Sequence, residues 1–116
     1  MSPQNRKLRY GFRLYILCDE KRVLGKGGAQ ILDAVARLGS LSSAAKELEM
    51  SYRFVWNYIR RMEAGLGKPV ILTRRGGTLH ATRKGGGGTE LTPLARTLLK
   101  DYRLVEGRLR KQLPHA

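Results

Sequence analysis

The sequence predicts a mainly α-helical domain with a small amount of β structure. Specifically, it predicts a winged helix-turn-helix, preceded by a β-hairpin and followed by a long C-terminal helix. Three observations predict it. Residues 39–67, GSLSSAAKELEMSYRFVWNYIRRMEAGLG, read as two short helices joined by a tight turn, the second studded with Arg, Asn, Tyr and Trp. A basic, glycine-rich stretch follows, TRRGGTLHATRKGGGGTELT. A periodic helix comes after it. Helix, turn, helix and a basic wing is a layout that places one helix in the major groove of DNA.

Composition points the same way. At 116 residues the chain has room for one domain with one modest core. Twenty-three Lys plus Arg against nine Asp plus Glu give a net charge of +14, a field that favours a polyanion. The charge is also unevenly spread: no acidic residue lies between Glu63 and Glu90, where Lys68, Arg74, Arg75, Arg83 and Lys84 fall. Cys18 is the single cysteine, which excludes an internal disulfide framework and any multi-cysteine metal site. Besides it stand only His80 and His115, too few for a zinc finger. The sequence holds no apolar run of membrane-spanning length and no apolar signal segment at its start, so a cytoplasmic location is expected.

Residues 1–7 are polar and basic and read as a flexible arm. From Leu8 the pattern alternates: Leu8, Tyr10, Phe12, Leu14, Ile16 and Cys18 fall on one face of a strand, with Arg9, Gly11 and Arg13 on the other. Asp19-Glu20-Lys21 supply a turn, and Arg22-Val23-Leu24 return as a short second strand. Cys18, at an inward position, reads as a small buried hydrophobe. Gly25, Gly27 and Gly28 read as a loop with glycine hinges. A dinucleotide-binding loop is disfavoured, because Gln30 stands where its third glycine is required.

A first helix is expected over residues 29–38, with Ile31, Leu32, Val35 and Leu38 on its apolar face and Gly39 ending it. Ser42 reads as the N-cap of a second helix over 43–48, where Ala44 and Ala45 permit close packing. Glu49-Met50 form the turn, and Ser51 caps a third helix over 52–64. Val55, Ile59, Met62 and Leu66 give that helix its core face. Tyr52, Arg53, Trp56, Asn57 and Arg60 lie on or beside the opposite face, toward the end that recognition helices present to base edges. Arg can pair with guanine and Asn with adenine through two hydrogen bonds each, while Tyr and Trp can pack on thymine methyls. Trp56 can equally brace the helix against a neighbour, and Phe54 and Tyr58 read as packing residues.

Val70-Ile71-Leu72 begin a strand of the wing. Arg74, Arg75, Arg83 and Lys84 flank the glycine runs, and Gly85 and Gly86 let the backbone approach phosphates without Cβ clashes. His80 is too isolated for a metal ligand or a catalytic base. Thr92 caps the last helix, with Pro93 at its first position, over residues 93–112. Leu94, Leu98, Tyr102, Val105 and Leu109 form a seam close to a heptad, which reads as a dimer interface with a second copy of the chain. The expected organisation is an arm over 1–7, a winged helix-turn-helix over 8–92, and a dimerisation helix with a short tail over 93–116.

GSLSSAAKELEMSYRFVWNYIRRMEAGLGKP, followed by GGGGTELT and LARTLLKDY, resembles the DNA-binding domain of molybdate-responsive transcription regulators (the ModE family), itself similar to the LysR-type winged helix. The resemblance spans residues 25–102. Its specific parts are Ser51, Tyr52, Arg53 and Trp56 and the glycine run ahead of Leu91-Thr92. It implies a dimeric regulator whose second motif helix enters the major groove of double-stranded DNA, on a domain supported by an N-terminal strand pair. Full-length members carry C-terminal oxyanion-binding domains, whereas here the chain stops after the linker helix, so no direct molybdate binding is expected. At the position of Asn57 those regulators tend to carry an acidic residue, so their operator does not transfer.

The expected function is thus a homodimeric, sequence-specific transcriptional regulator without catalysis, cofactor or metal. One alternative is a basic RNA-binding or nucleoid-associated protein. For RNA the alternating strand at 8–18, with Tyr15 as its one outward aromatic, is the only candidate stacking surface. A nucleotide-dependent enzyme is disfavoured, because no paired carboxylates, nucleophile–base pair or metal cluster accompany the glycines.

Overall fold

The computed structural model describes residues 7–74 and 88–114 of the chain. Its elements run β1 (Ile16–Cys18), β2 (Lys21–Leu24), α1 (Lys26–Leu38), α2 (Leu41–Leu48), α3 (Tyr52–Leu66), β3 (Ile71–Arg74), β4 (Gly88–Leu91) and α4 (Pro93–Gln112). The architecture is the expected one: a helix-turn-helix between two antiparallel strand pairs, closed by a long terminal helix.

The core forms where the helical stripes converge. Ile31, Leu32 and Val35 of α1, Ala44 of α2, and Val55 and Ile59 of α3 have no exposed surface. Each stripe follows three- and four-residue spacing, so one face of each helix is apolar throughout. The small Ala44 and Ala45 let α2 lie close against its neighbours. Val23 and Leu24 of β2 close one end of this core, and Val70 with Ile71 and Leu91 of the second strand pair close another.

Helix ends are fixed by local chemistry. The Ser51 hydroxyl accepts a hydrogen bond from the Phe54 amide at 3.0 Å, and α3 begins there as expected. Thr92 caps α4 by accepting from the Ala95 amide at 3.2 Å, with Pro93 directly after it. The start of α2 differs from expectation. Ser40, not Ser42, is its cap, accepting from the Ser43 amide at 2.9 Å. Beginning two residues earlier brings Leu41 into the core at 5% exposed. Gly39 ends α1 at φ 74°, a left-handed conformation that glycine adopts without a Cβ penalty. Its carbonyl then accepts the Thr89 amide at 2.8 Å, which docks β4 onto the end of α1.

The glycines at 25–28 are not a hinge loop. Gly25 is the N-cap of α1, and Gly27 and Gly28 form its first turn. Packing is the reason: a Cβ at Gly28 would stand 2.7 Å from Leu24 Cδ1 and 3.1 Å from the Tyr58 ring. Helix and strand therefore approach where the side chain is missing, and that contact outweighs the poor helix propensity of glycine.

The first strand is shorter than its alternation. Only Ile16–Cys18 pair with β2, around a two-residue turn whose Asp19 and Glu20 have φ of 51° and 69°. Both are positive, as in the turn type that matches hairpin twist. A strand needs a partner, and β2 offers four residues before α1 begins. Residues 8–15 therefore extend without ladder bonds. Phe12, Leu14, Ile16 and Cys18 are half-buried, while Leu8 and Tyr10 are 66% and 60% exposed.

Substitutions at two glycines test this packing account. Gly28→Val should lower stability by about 1–3 kcal/mol through overpacking. Gly107→Ala, where nothing lies within 4 Å of an added Cβ, should raise it by about 0.4–1 kcal/mol. Urea denaturation of both variants checks the pair; a neutral Gly28→Val would contradict the close approach.

Candidate nucleic-acid interface

α3 has two chemically distinct faces. Val55, Ile59 and Met62 are buried at 0, 0 and 2% exposed, and this fixes the rotation of the helix about its axis. Arg53 and Asn57, four residues apart, are therefore exposed together on the outward face. Neither has a hydrogen-bond or ion-pair partner among the described residues. Tyr52, 53% exposed, stands beside them at the first position of the helix. Ser51 is spent on capping the helix, although its position at the helix start leaves it solvent-exposed.

Trp56 and Arg60 are engaged within the chain. Trp56 is half-buried against the core, and the Arg60 guanidinium lies 4.3 Å from the Trp56 ring centroid. Arg60 also pairs with Glu63 at 2.9 Å. A cation so placed is held flat and partly neutralised, unlike Arg53. The other flank of α3 carries Phe54 and Tyr58 edge to face at 6.0 Å, with Tyr58 packed against the core. Both side chains pack on each other, which agrees with their sequence reading.

The wing begins as a regular hairpin. β3 and β4 pair antiparallel from Ile71↔Leu91 to Arg74↔Gly88. Arg74 thus ends the paired strand. Arg75, Arg83, Lys84, Gly85, Gly86 and His80 lie outside the described residues, as does the arm over residues 1–6. Two anchors tie this hairpin to the helices. Glu63 accepts the Val70 amide at 2.8 Å, and the Thr92 hydroxyl donates to the Pro69 carbonyl at 3.0 Å while capping α4. Neither anchor has a signature in sequence, because each joins residues from separate segments whose approach the fold decides. Glu63 has the further consequence of holding Arg60.

The seam of α4 is divided by the fold. Tyr102 is only 4% exposed and belongs to the chain's own core, and Leu98 is half-buried against it. Leu94 is half-buried. Val105 and Leu109 are each 40% exposed, and Leu104, absent from the heptad reading, is 49% exposed. The reason is helical phase: Ala95, Leu99 and Tyr102 form the stripe that α4 turns toward α1. An ion-pair network reinforces that contact. Asp33 of α1 binds both Arg37, at 2.9 Å, and Arg103 of α4. Arg37 also binds Glu47 of α2, and its guanidinium holds the Glu47 carboxyl below the usual range.

Known proteins resemble this chain over most of its length. The family model described as bacterial regulatory helix-turn-helix protein, lysR family, matches residues 28–96. The molybdenum-pterin-binding protein MopB of Rhodobacter capsulatus is 34% identical over 90 residues, 78% of this chain and 31% of that protein. The transcriptional regulator ModE of Haemophilus influenzae is 33% identical over 91 residues, again 78% of this chain and 31% of that protein. The chain thus spans about a third of the length of these curated relatives. A solved structure described as the crystal structure of a CbnR_DBD–DNA complex superposes with a TM-score of 0.52 at 26% identity. That match covers 72% of this chain and 84% of the other. The resemblance to the ModE family and the winged-helix class both hold.

The Glu63 anchor gives a direct test. Glu63→Ala should cost about 1–3 kcal/mol, because the amide of fully buried Val70 loses its acceptor. Glu63→Gln keeps a carbonyl in place and should lose less than half as much. Chemical denaturation of the two variants distinguishes them, and equal losses would mean that charge, not the amide contact, carries the effect.

Proposed function

The chain belongs to the lysR family of bacterial regulatory helix-turn-helix proteins, and from that premise we propose that it binds double-stranded DNA sequence-specifically as a homodimeric transcriptional regulator. The observation that carries this reading is the pair Arg53 and Asn57. They are exposed, unpaired among the described residues, and held outward by the fully buried opposite face of α3. In the major groove Arg53 would pair with guanine and Asn57 with adenine, and Tyr52 would pack on a thymine methyl or the backbone. Ser51 would meet a phosphate at the positive end of the helix. Trp56 and Arg60 would flank the base contacts and orient them. The wing, with Arg74, Arg75, Arg83, Lys84, Gly85 and Gly86, would grip the phosphate backbone. The proposed activity is binding rather than catalysis, without a cofactor, in the cytoplasm where bacterial DNA lies.

Dimerisation would use the outer half of α4. Leu104, Val105 and Leu109 leave an apolar strip there, continued by half-buried Leu94 and Leu98. Tyr102 drops out of the proposed interface because its own core covers it. Two-fold symmetry would then set paired half-sites about one helical turn or a multiple apart. RNA binding is less well supported. Tyr15, its one candidate stacking aromatic, is half-buried, with the Arg22 guanidinium 4.3 Å from its ring centroid.

A salt titration comparing duplex DNA with duplex and single-stranded RNA tests the class of partner. Duplex DNA should bind tightest, and preference for either RNA would reject the reading. Against a selected binding site and random DNA, Arg53→Ala and Asn57→Ala should each reduce discrimination by roughly 1–3 kcal/mol. Uniform loss on every sequence would place those side chains on phosphates instead. Sedimentation should show a dimer at micromolar concentration that Val105→Glu dissociates; a monomeric parent protein with full affinity for a single half-site would contradict the proposed assembly.

A further inference from the structure

The segment of residues 9–15 that lacks a strand partner roofs a cavity of about 580 Å3 against the start of α1, Tyr58 of α3 and the outer half of α4. That volume falls in the range of small-molecule clefts, about 300–1,000 Å3. Four properties of its walls converge on one kind of ligand.

The first is the start of α1. Gly25 contributes no capping side chain, and the first turn holds no acidic residue. Lys26 and Gly27 line the cavity, and their amides, in the first turn of α1, are among the donors that have no partner within the helix. They stand at the positive end of a 13-residue helix. The second is Tyr102. It lines the same cavity, is 4% exposed, and its hydroxyl has no hydrogen-bond partner among the described residues. That leaves the phenol hydroxyl available to donate to a molecule held in the cavity. Burial also raises its pKa above the ordinary tyrosine range, so at neutral pH it is a donor.

The third is charge. Arg9, Arg13 and Lys26 line the cavity with no ion-pair partner among the described residues. The one carboxylate in the wall, Glu106, is already paired with Arg110 at 3.2 Å. The fourth is the aromatic lining: Tyr10 and Phe12 from the roof, the latter with the Arg110 guanidinium 5.3 Å from its centroid, and Tyr58 from α3 opposite, whereas Tyr15 is already covered by Arg22. An inorganic ion would leave those rings against water. A ligand with a flat apolar body would cover them.

We propose that this cavity binds a small organic anion. Its carboxylate or phosphate oxygens accept hydrogen bonds from the Tyr102 hydroxyl and the Lys26 and Gly27 amides. Its apolar body lies between the aromatic residues of the roof and Tyr58. Arg9 and Arg13 supply long-range attraction at the rim. The site is separate from the outward face of α3 and does not depend on the DNA-binding reading.

The test is an amide NMR titration of the whole chain with three probes: benzoate, its neutral counterpart benzyl alcohol, and inorganic phosphate. Benzoate should give saturable shifts at Lys26 and Gly27, with affinity at least tenfold above that of the other two. Tyr102→Phe should weaken benzoate at least tenfold while thermal unfolding shows an intact fold. Should Tyr102→Phe disturb the fold, Arg13→Gln, an exposed position, should still weaken benzoate several-fold. Absence of saturable shifts, equal binding of benzyl alcohol, or equal binding of phosphate would each overturn the proposal, as would unchanged benzoate affinity in a folded Tyr102→Phe variant.

Discussion

The rotation of α3 about its own axis is the constraint on which the rest of this molecule depends. Val55, Ile59 and Met62 sit at three- and four-residue spacing and leave almost no surface to water. Turning the helix by even one residue position, about 100°, would bring charged or amide groups into that interior. A buried side chain of that kind without a partner is costly, so the rotation is held firmly. Its consequence is that Arg53 and Asn57 face solvent as a pair. The core therefore aims the proposed reading head, and stability and the proposed specificity fall on opposite faces of one helix.

The remaining elements keep that helix in place. α2 comes close because Ala44 and Ala45 are small, and the left-handed turn at Glu49, φ 58°, brings the chain straight into Ser51. The last turn of α3 is tied to the wing through Glu63, which serves both the Val70 amide and Arg60. Thr92 joins the wing to α4 through hydrogen bonds on both sides of one hydroxyl. Asp33 links α1 to α4, and Arg37 links α1 to α2. These surface ion pairs each contribute little, but a shared network restricts how the helices move against one another.

Where structure follows from local chemistry, the sequence was legible. Ser51 and Thr92-Pro93 mark helix starts unambiguously, and the periodic apolar stripe of α3 identifies its buried face. Legibility failed where a distant partner decides the outcome. Ser42 reads as the cap of α2 from local pattern, but the burial of Leu41 places the cap at Ser40. Glycines at 27 and 28 argue against helix locally, yet the approach of Leu24 and Tyr58 places them in one. The alternation over 8–18 is a strand pattern, but strand pairing stops where β2 runs out of residues. Tyr102 fits a heptad seam by spacing alone, although the packing of α4 on the core turns it inward. In the candidate site the outward placement of Arg53 and Asn57 was readable from periodicity. The engagement of Arg60 by Glu63 and Trp56 was not, because it depends on side-chain geometry.

The central claim is that the outward face of α3 meets base edges in the major groove. Dimethyl sulfate footprinting tests it most directly, since guanine N7 lies in that groove and is protected when a side chain occupies it. On a duplex selected for tight binding, the account predicts protected guanines in two patches, about one helical turn or a multiple apart. It also predicts that Arg53→Ala restores methylation at particular guanines without abolishing binding. Full methylation of every guanine in a saturated complex would contradict it, and would mean that the protein holds DNA by its backbone or minor groove alone.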